Sequence, residues 1–150
     1  MIRTLDQPRL DITRVYRVAP ENVWRAWTDP QALRRWFGPG EPDSVTSAEL
    51  DVRVGGRYRI AFIAPDGVEH VAAGLYKEVV ANRRLVFTWT RQGMPEVDSQ
   101  VTIELRPVAG GTQLSFVHEQ FPDVAARDDH RGGWLPTFEK LNDYLNKAYT

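Results

Sequence analysis

Between Ser44 and His118 the chain repeats one pattern, in which short segments of alternating apolar and polar residues are each broken off by a turn-forming pair or triplet. The segments lie near 44–53, 57–64, 68–80, 84–91, 98–107 and 112–118. The breaks are Gly55-Gly56, Pro65-Asp66-Gly67, Asn82-Arg83, Gln92-Gly93 and Gly110-Gly111. A period of two sends successive side chains to opposite faces of a strand. Separations this short favour antiparallel neighbours in a meander, because a parallel pair needs a long crossover. Tyr58, Ile60 and Phe62 share a face, as do Leu85, Phe87 and Trp89, then Val101, Ile103 and Leu105, and finally Leu114, Phe116 and His118. A sheet that is apolar on one face must be covered by another element.

The cover comes from the C-terminal segment. Trp134, Phe138, Leu141 and Leu145 follow one another at helical spacing. The helix is expected to begin as early as Pro122-Asp123, since Val124-Ala125-Ala126 suits it. Gly132 and Gly133 are read as letting this helix pass close to another backbone, and Pro136 as marking a kink or a late helix start. Before the meander, residues 10–18 alternate as a strand. Pro20 and Glu21 then open a short helix carrying Val23, Trp24 and Trp27. Asp29 caps a second helix that starts at Pro30, carries Leu33, Trp36 and Phe37, and ends at Gly38-Pro39-Gly40. The order is strand, helix, helix, six strands, helix. The fold class is α+β: a helix-grip fold of about seven strands, strongly curved and antiparallel, wrapped around a long C-terminal helix in a single domain spanning 1–150.

Composition narrows the function. Nineteen basic and twenty acidic residues leave a net charge of −1, so no overall field favours nucleic acid or an anionic membrane. The absence of cysteine removes disulfides, thiolate nucleophiles and cysteine-based metal sites. The first ten residues lack the apolar run of a signal peptide, and no window approaches membrane-spanning length, so a soluble, cytoplasmic chain is expected. No Gly-x-Ser-x-Gly elbow or phosphate-cradling loop occurs; Gly55-Gly56 and Gly110-Gly111 lie between strands and read as turns. Glu49, Asp51 and Arg53 alternate and suggest an ion-pair network on the outer sheet face.

Several local words carry a family likeness. They are Ala19 to Pro30 (APENVWRAWTDP), Leu33 to Phe37, Glu49 to Tyr58 (ELDVRVGGRY), Gly74 to Val79 leading into Arg84 to Trp89, and His130 to Trp134 (HRGGW). In this order, and over nearly the whole chain, they resemble the family named for the activator of the ninety-kilodalton heat-shock protein ATPase. That family lies within the START-like (SRPBCC, birch-pollen-allergen-like) superfamily. The resemblance implies a cavity between sheet and long helix that holds apolar ligands. Some relatives are polyketide cyclases or dehydratases, some bind lipids or hormones, and the eponymous activator acts on a chaperone. That activator has two domains and this chain resembles only its C-terminal type, so chaperone contact is not supported by the sequence.

The candidate site follows from which side chains the fold turns inward. Trp36, Phe37, Tyr58, Phe62, Phe87, Trp89, Phe116, Trp134 and Phe138, with His118 and His130, form the expected ligand-binding set. One layer between one sheet and one helix rarely needs so many large rings unless some of them line a hollow. His118 and His130 are the candidate proton carriers, because burial among aromatic groups shifts an imidazole toward the neutral form and leaves it able to move a proton. A metal site would need Glu119 to join the two histidines, and alternation turns Glu119 away from His118; no metal and no cofactor is expected. The leading expectation is a protein that binds a small hydrophobic or aromatic molecule. The alternatives are a cyclase- or hydratase-type enzyme using histidine acid–base chemistry, and a chaperone-associated adaptor. A homodimer through the outer sheet face or the short helices is left open.

Overall fold

The computed structural model describes residues 8–92 and 94–149, with the backbone alone along 94–98. Gly93, half of the expected Gln92-Gly93 turn, lies outside the described residues, as does the start of the N-terminal segment. The chain runs β1 (Leu10–Tyr16), α1 (Pro20–Thr28), α2 (Pro30–Leu33), β2 (Val45–Leu50), β3 (Arg57–Ile63), β4 (Glu69–Val80), β5 (Arg84–Arg91), β6 (Met94–Val108), β7 (Gly111–Glu119) and α3 (Val124–Tyr149).

The seven strands make one antiparallel sheet in the order β1-β7-β6-β5-β4-β3-β2. From β2 to β7 each strand pairs with its successor, as the short breaks dictate. β1 then joins the far edge, with Leu10 opposite His118 and Tyr16 opposite Thr112. The two edges of the sheet are therefore β1 and β2, and α1 and α2 connect them. Alternation holds cleanly in β7, where Thr112, Leu114, Phe116 and His118 are buried and the residues between them are not. Bulges interrupt the ladders between Val45 and Ser47, between Tyr76 and Glu78, and between Trp89 and Arg91. Such insertions increase local twist and help an open sheet curl around a helix.

Three expectations are corrected. α2 ends at Leu33, so Trp36 and Phe37 lie beyond it. One further turn, closed by the Phe37 N–H to the Leu33 carbonyl at 3.0 Å, still carries both rings inward. Gly38 at φ 97° then leads the chain away in the left-handed conformation that glycine tolerates best. Asp51 and Arg53 sit past the end of β2, where they pair at 2.9 Å on the surface instead of sharing a strand face with Glu49. The third correction concerns α3. It begins at Val124, where Asp123 Oδ1 accepts the Ala126 N–H, so Pro136 is a residue of the helix interior and marks no late start. A side chain on Gly132 or Gly133 would meet no neighbouring atom within 4 Å. The glycines thus face open space and mediate no close backbone approach.

The expected stripe on α3 is buried at Trp134, Phe138, Leu141 and Leu145, with His130 and Thr137 extending it. Trp36, whose Nε1–H donates to the Ala26 carbonyl at 3.0 Å, ties the short helices to this core.

Candidate functional site

The space between the sheet and α3 is occupied chiefly by rings that pack on one another. Trp134 lies 4.6 Å from Phe116, 5.1 Å from Trp89 and 5.9 Å from Phe37 between centroids. Trp27 of α1 reaches into the same cluster, 4.7 Å from Trp36 and 6.0 Å from Phe138. Tilted and edge-on contacts at these distances are the favourable ring geometries.

At the sheet side of the cluster, two polar residues on neighbouring strands face inward. His118 of β7 is fully buried, and both of its ring nitrogens are engaged. The Trp134 Nε1–H donates to His118 Nδ1 at 3.0 Å. An indole N–H can only donate, so Nδ1 is the unprotonated nitrogen and Nε2 carries the hydrogen. Nε2–H donates to Ser99 Oγ at 2.7 Å, and the Ser99 hydroxyl donates to the Trp89 carbonyl at 3.3 Å. The result is a directed chain from α3 across β7 and β6 to β5. Protonating His118 would set an N–H against the Trp134 N–H. Burial, with the neighbouring His130, already holds this imidazole well below its ordinary pKa. Both nitrogens of His118 are thus committed to partners inside the core.

His130 is different. It is 4% exposed, and its Nδ1–H donates to the Ala126 carbonyl one turn earlier at 2.8 Å. Nε2 is then the lone-pair nitrogen, and it has no partner. Burial is the first cause that pushes the His130 pKa down, with Arg91 adding to it; the Ala126 bond and Asp129 oppose. The group is a neutral acceptor at physiological pH.

His130 lines an aromatic-walled cavity of about 50 Å³. Phe37, Phe62, Trp89 and Trp134 form its walls. Arg91 and Asp129, paired Nη1 to Oδ2 at 3.4 Å, and Gly133 of α3 also line it. Since about 10–15 Å³ of such space holds one water, this cavity has room for about three to five waters. A second space of about 20 Å³ lies deeper, among Tyr58, Phe87, Trp89 and Trp27. Of the expected set, Phe37, Phe62, Trp89, His130 and Trp134 come together at the first cavity, and Phe37, Tyr58, Phe87 and Trp89 at the second. Trp36, Phe116, His118 and Phe138 line neither; they are packed against other side chains.

Sequence reasoning missed Ser99, Arg91, Asp129 and Gly133. Ser99 left a signal, because it stands in the inward register of Val101, Ile103 and Leu105, and a polar residue at such a position needs a partner. Arg91 and Asp129 are far apart in sequence and nothing local joins them. Among the described residues, no three His, Asp and Glu side chains converge as a metal site. No helix among them is long and apolar enough to cross a membrane.

A seven-stranded sheet gripping a C-terminal helix, with an aromatic space between them, defines a helix-grip protein of the START-like class. Within that class, the chain belongs to the family described as Activator of Hsp90 ATPase homolog 1-like protein, whose profile matches residues 17–146. Among solved structures it is similar to protein CV1439 from Chromobacterium violaceum, with 33% identity, coverage of 91% of this chain and 96% of that one, and a TM-score of 0.79. Protein NE0264 from Nitrosomonas europaea is 28% identical over 94% of this chain and 97% of its own, with a TM-score of 0.77. The AHSA1 protein SPO3351 from Silicibacter pomeroyi shares the fold, with a TM-score of 0.83 at 24% identity over 95% of this chain and 100% of that one. No curated protein matches this chain.

Proposed function

We propose that this protein binds a small apolar or aromatic molecule in the cavity between β3, β5 and α3. The observation that carries the reading is the cavity itself, an aromatic-walled space of about 50 Å³ between sheet and helix. Family membership supports a ligand-binding role. A cavity that admits benzene measures about 150 Å³, so a ring-sized ligand enters here with movement of the wall rings, and an extended lipid would need more.

Proton-transfer catalysis is a second reading, favoured by one observation: the basic His130 Nε2 has no partner. Acid–base chemistry of the cyclase or hydratase type commonly uses a second proton carrier. The other histidine of the core, His118, is committed to Trp134 and Ser99. Binding is therefore the better-supported function.

Tryptophan quenching tests the reading, with fatty acids, flavonoids, polyketide-like aromatics and monocyclic aromatics on the wild type and on Gly133→Leu. A leucine at 133 meets nothing near its Cβ and adds bulk at a residue of the cavity lining. It also replaces the poorest non-proline helix former, so the variant is expected to be about as stable as the wild type or up to about 1 kcal/mol more stable. Saturable quenching by monocyclic aromatics should weaken at least about tenfold in the variant. Absence of saturable quenching in the wild type, or equal affinity in a folded Gly133→Leu, would overturn the reading.

A further inference from the structure

The cavity lining combines two kinds of side chain. Phe37, Phe62, Trp89 and Trp134 supply apolar walls and are at most 5% exposed. Arg91 and Asp129, the charged residues of the lining among those described, reach solvent, with side chains 25% and 60% exposed. Both charges are felt by His130, itself part of the lining. A ligand that suits such a lining is amphipathic, with a tail for the rings and a charged head for the ion pair. The volume sets the tail, since space for about three to five waters is matched by about three carbons.

The ion pair sets the sign of the head. Arg91 Nη1 and Asp129 Oδ2 stand 3.4 Å apart, longer than the about 2.7–2.9 Å of a strong charge-assisted bond. An incoming carboxylate takes the place of Asp129, whose own carboxylate returns to water at little cost because it is already mostly exposed. It also offers two oxygens to the planar guanidinium fork. An incoming ammonium would have to displace Arg91 instead, whose side chain is three-quarters buried and would lose its partner. A neutral hydroxyl replaces neither charge.

We infer that the cavity selects short aliphatic carboxylates, with the tail between the aromatic walls and the carboxylate on Arg91 in place of Asp129. This inference rests on the small-ligand reading above and names its chemical class. Arg91 and Asp129 set specificity, one as the binding partner and the other as an internal competitor.

Butyrate, butan-1-ol and butylamine share a propyl tail and differ in the head, and acetate keeps the head of butyrate without that tail. Calorimetric titration of the wild type is expected to give butyrate at least about tenfold tighter than butan-1-ol or butylamine. Acetate should bind at least about tenfold more weakly than butyrate, because two fewer carbons are buried. Arg91→Gln should bring butyrate down to the affinity of butan-1-ol. Asp129→Asn should tighten butyrate about two- to fivefold and leave butan-1-ol unchanged, a gain that damage to the fold does not produce. Butan-1-ol, butylamine or acetate matching butyrate, or Asp129→Asn binding butyrate no more tightly, overturns the carboxylate inference while the small-ligand reading stands. Failure of all four compounds to bind overturns it too, and the small-ligand reading then falls only if tryptophan quenching by aromatics is absent as well.

Discussion

Replacing His118 by leucine is expected to lower the stability of the fold by about 2–3 kcal/mol, although leucine is apolar and of similar size. The loss arises on the partners left behind. The Trp134 indole N–H would be buried with no acceptor, and Ser99 Oγ would lose its donor, while the Trp89 carbonyl would be held only by Ser99. Chemical denaturation of wild type and variant measures this directly, with an unchanged m-value showing that the fold is kept. The same residue sets a pH dependence. In the unfolded chain this histidine takes up a proton near its ordinary value of 6.5, whereas in the folded protein it resists doing so until well below that value. Above about pH 6.5 both states are neutral there and stability is unaffected. As the pH falls below about 6.5 the unfolded state binds more protons, and stability drops by up to about 1.4 kcal/mol per pH unit for this group until the folded pKa is reached. His130, shifted the same way, adds to the slope. The leucine variant should show a shallower acid limb than the wild type. An identical limb would remove His118 from the account.

Trp134→Ala is expected to cost more, about 3–5 kcal/mol, because it removes a whole buried indole at the meeting point of sheet, short helices and α3. Trp89, Phe116, Phe37 and Trp27 all pack against that ring. It also strips His118 Nδ1 of its donor. Trp134→Phe separates these contributions, since it keeps most of the ring and deletes only the N–H. Combined with His118→Leu, it should cost clearly less than the two single variants added together, because each single change strands a partner that the double change removes. Strict additivity in that cycle would mean that the indole–imidazole bond contributes nothing.

Much of this architecture was legible because period-two alternation with tight breaks leaves few arrangements. The meander from β2 to β7 and the stripe Trp134, Phe138, Leu141, Leu145 follow from spacing alone, and the inward position of His118 follows from its register with Leu114 and Phe116. Side-chain complementarity is a different matter. Whether eleven inward residues fill a space or leave some of it open depends on ring tilts set by several elements at once, and alternation carries no information about tilt. Thus Trp36, Phe116 and Phe138 were grouped with Phe37 and Trp89, though only the latter two border open space. The glycines of α3 show the same limit. Glycine in a helix often serves a close backbone approach, yet Gly132 and Gly133 face open space, which their place in the sequence does not disclose. The roles of the two histidines separate only once their partners are known, since one has both nitrogens bonded and the other has one free.

The most direct measurement is a ¹H–¹⁵N titration of the five tryptophan indole N–H signals with phenol. Trp89 and Trp134 border the cavity, Trp27 and Trp36 pack behind it, and Trp24 lies on the outer part of α1. The account predicts a saturable shift that is largest at Trp89, smaller at Trp134 and negligible at Trp24, and that disappears in Gly133→Leu. Shifts that fail to saturate, or that are as large at Trp24 as at Trp89, would contradict a ligand site between the sheet and the helix.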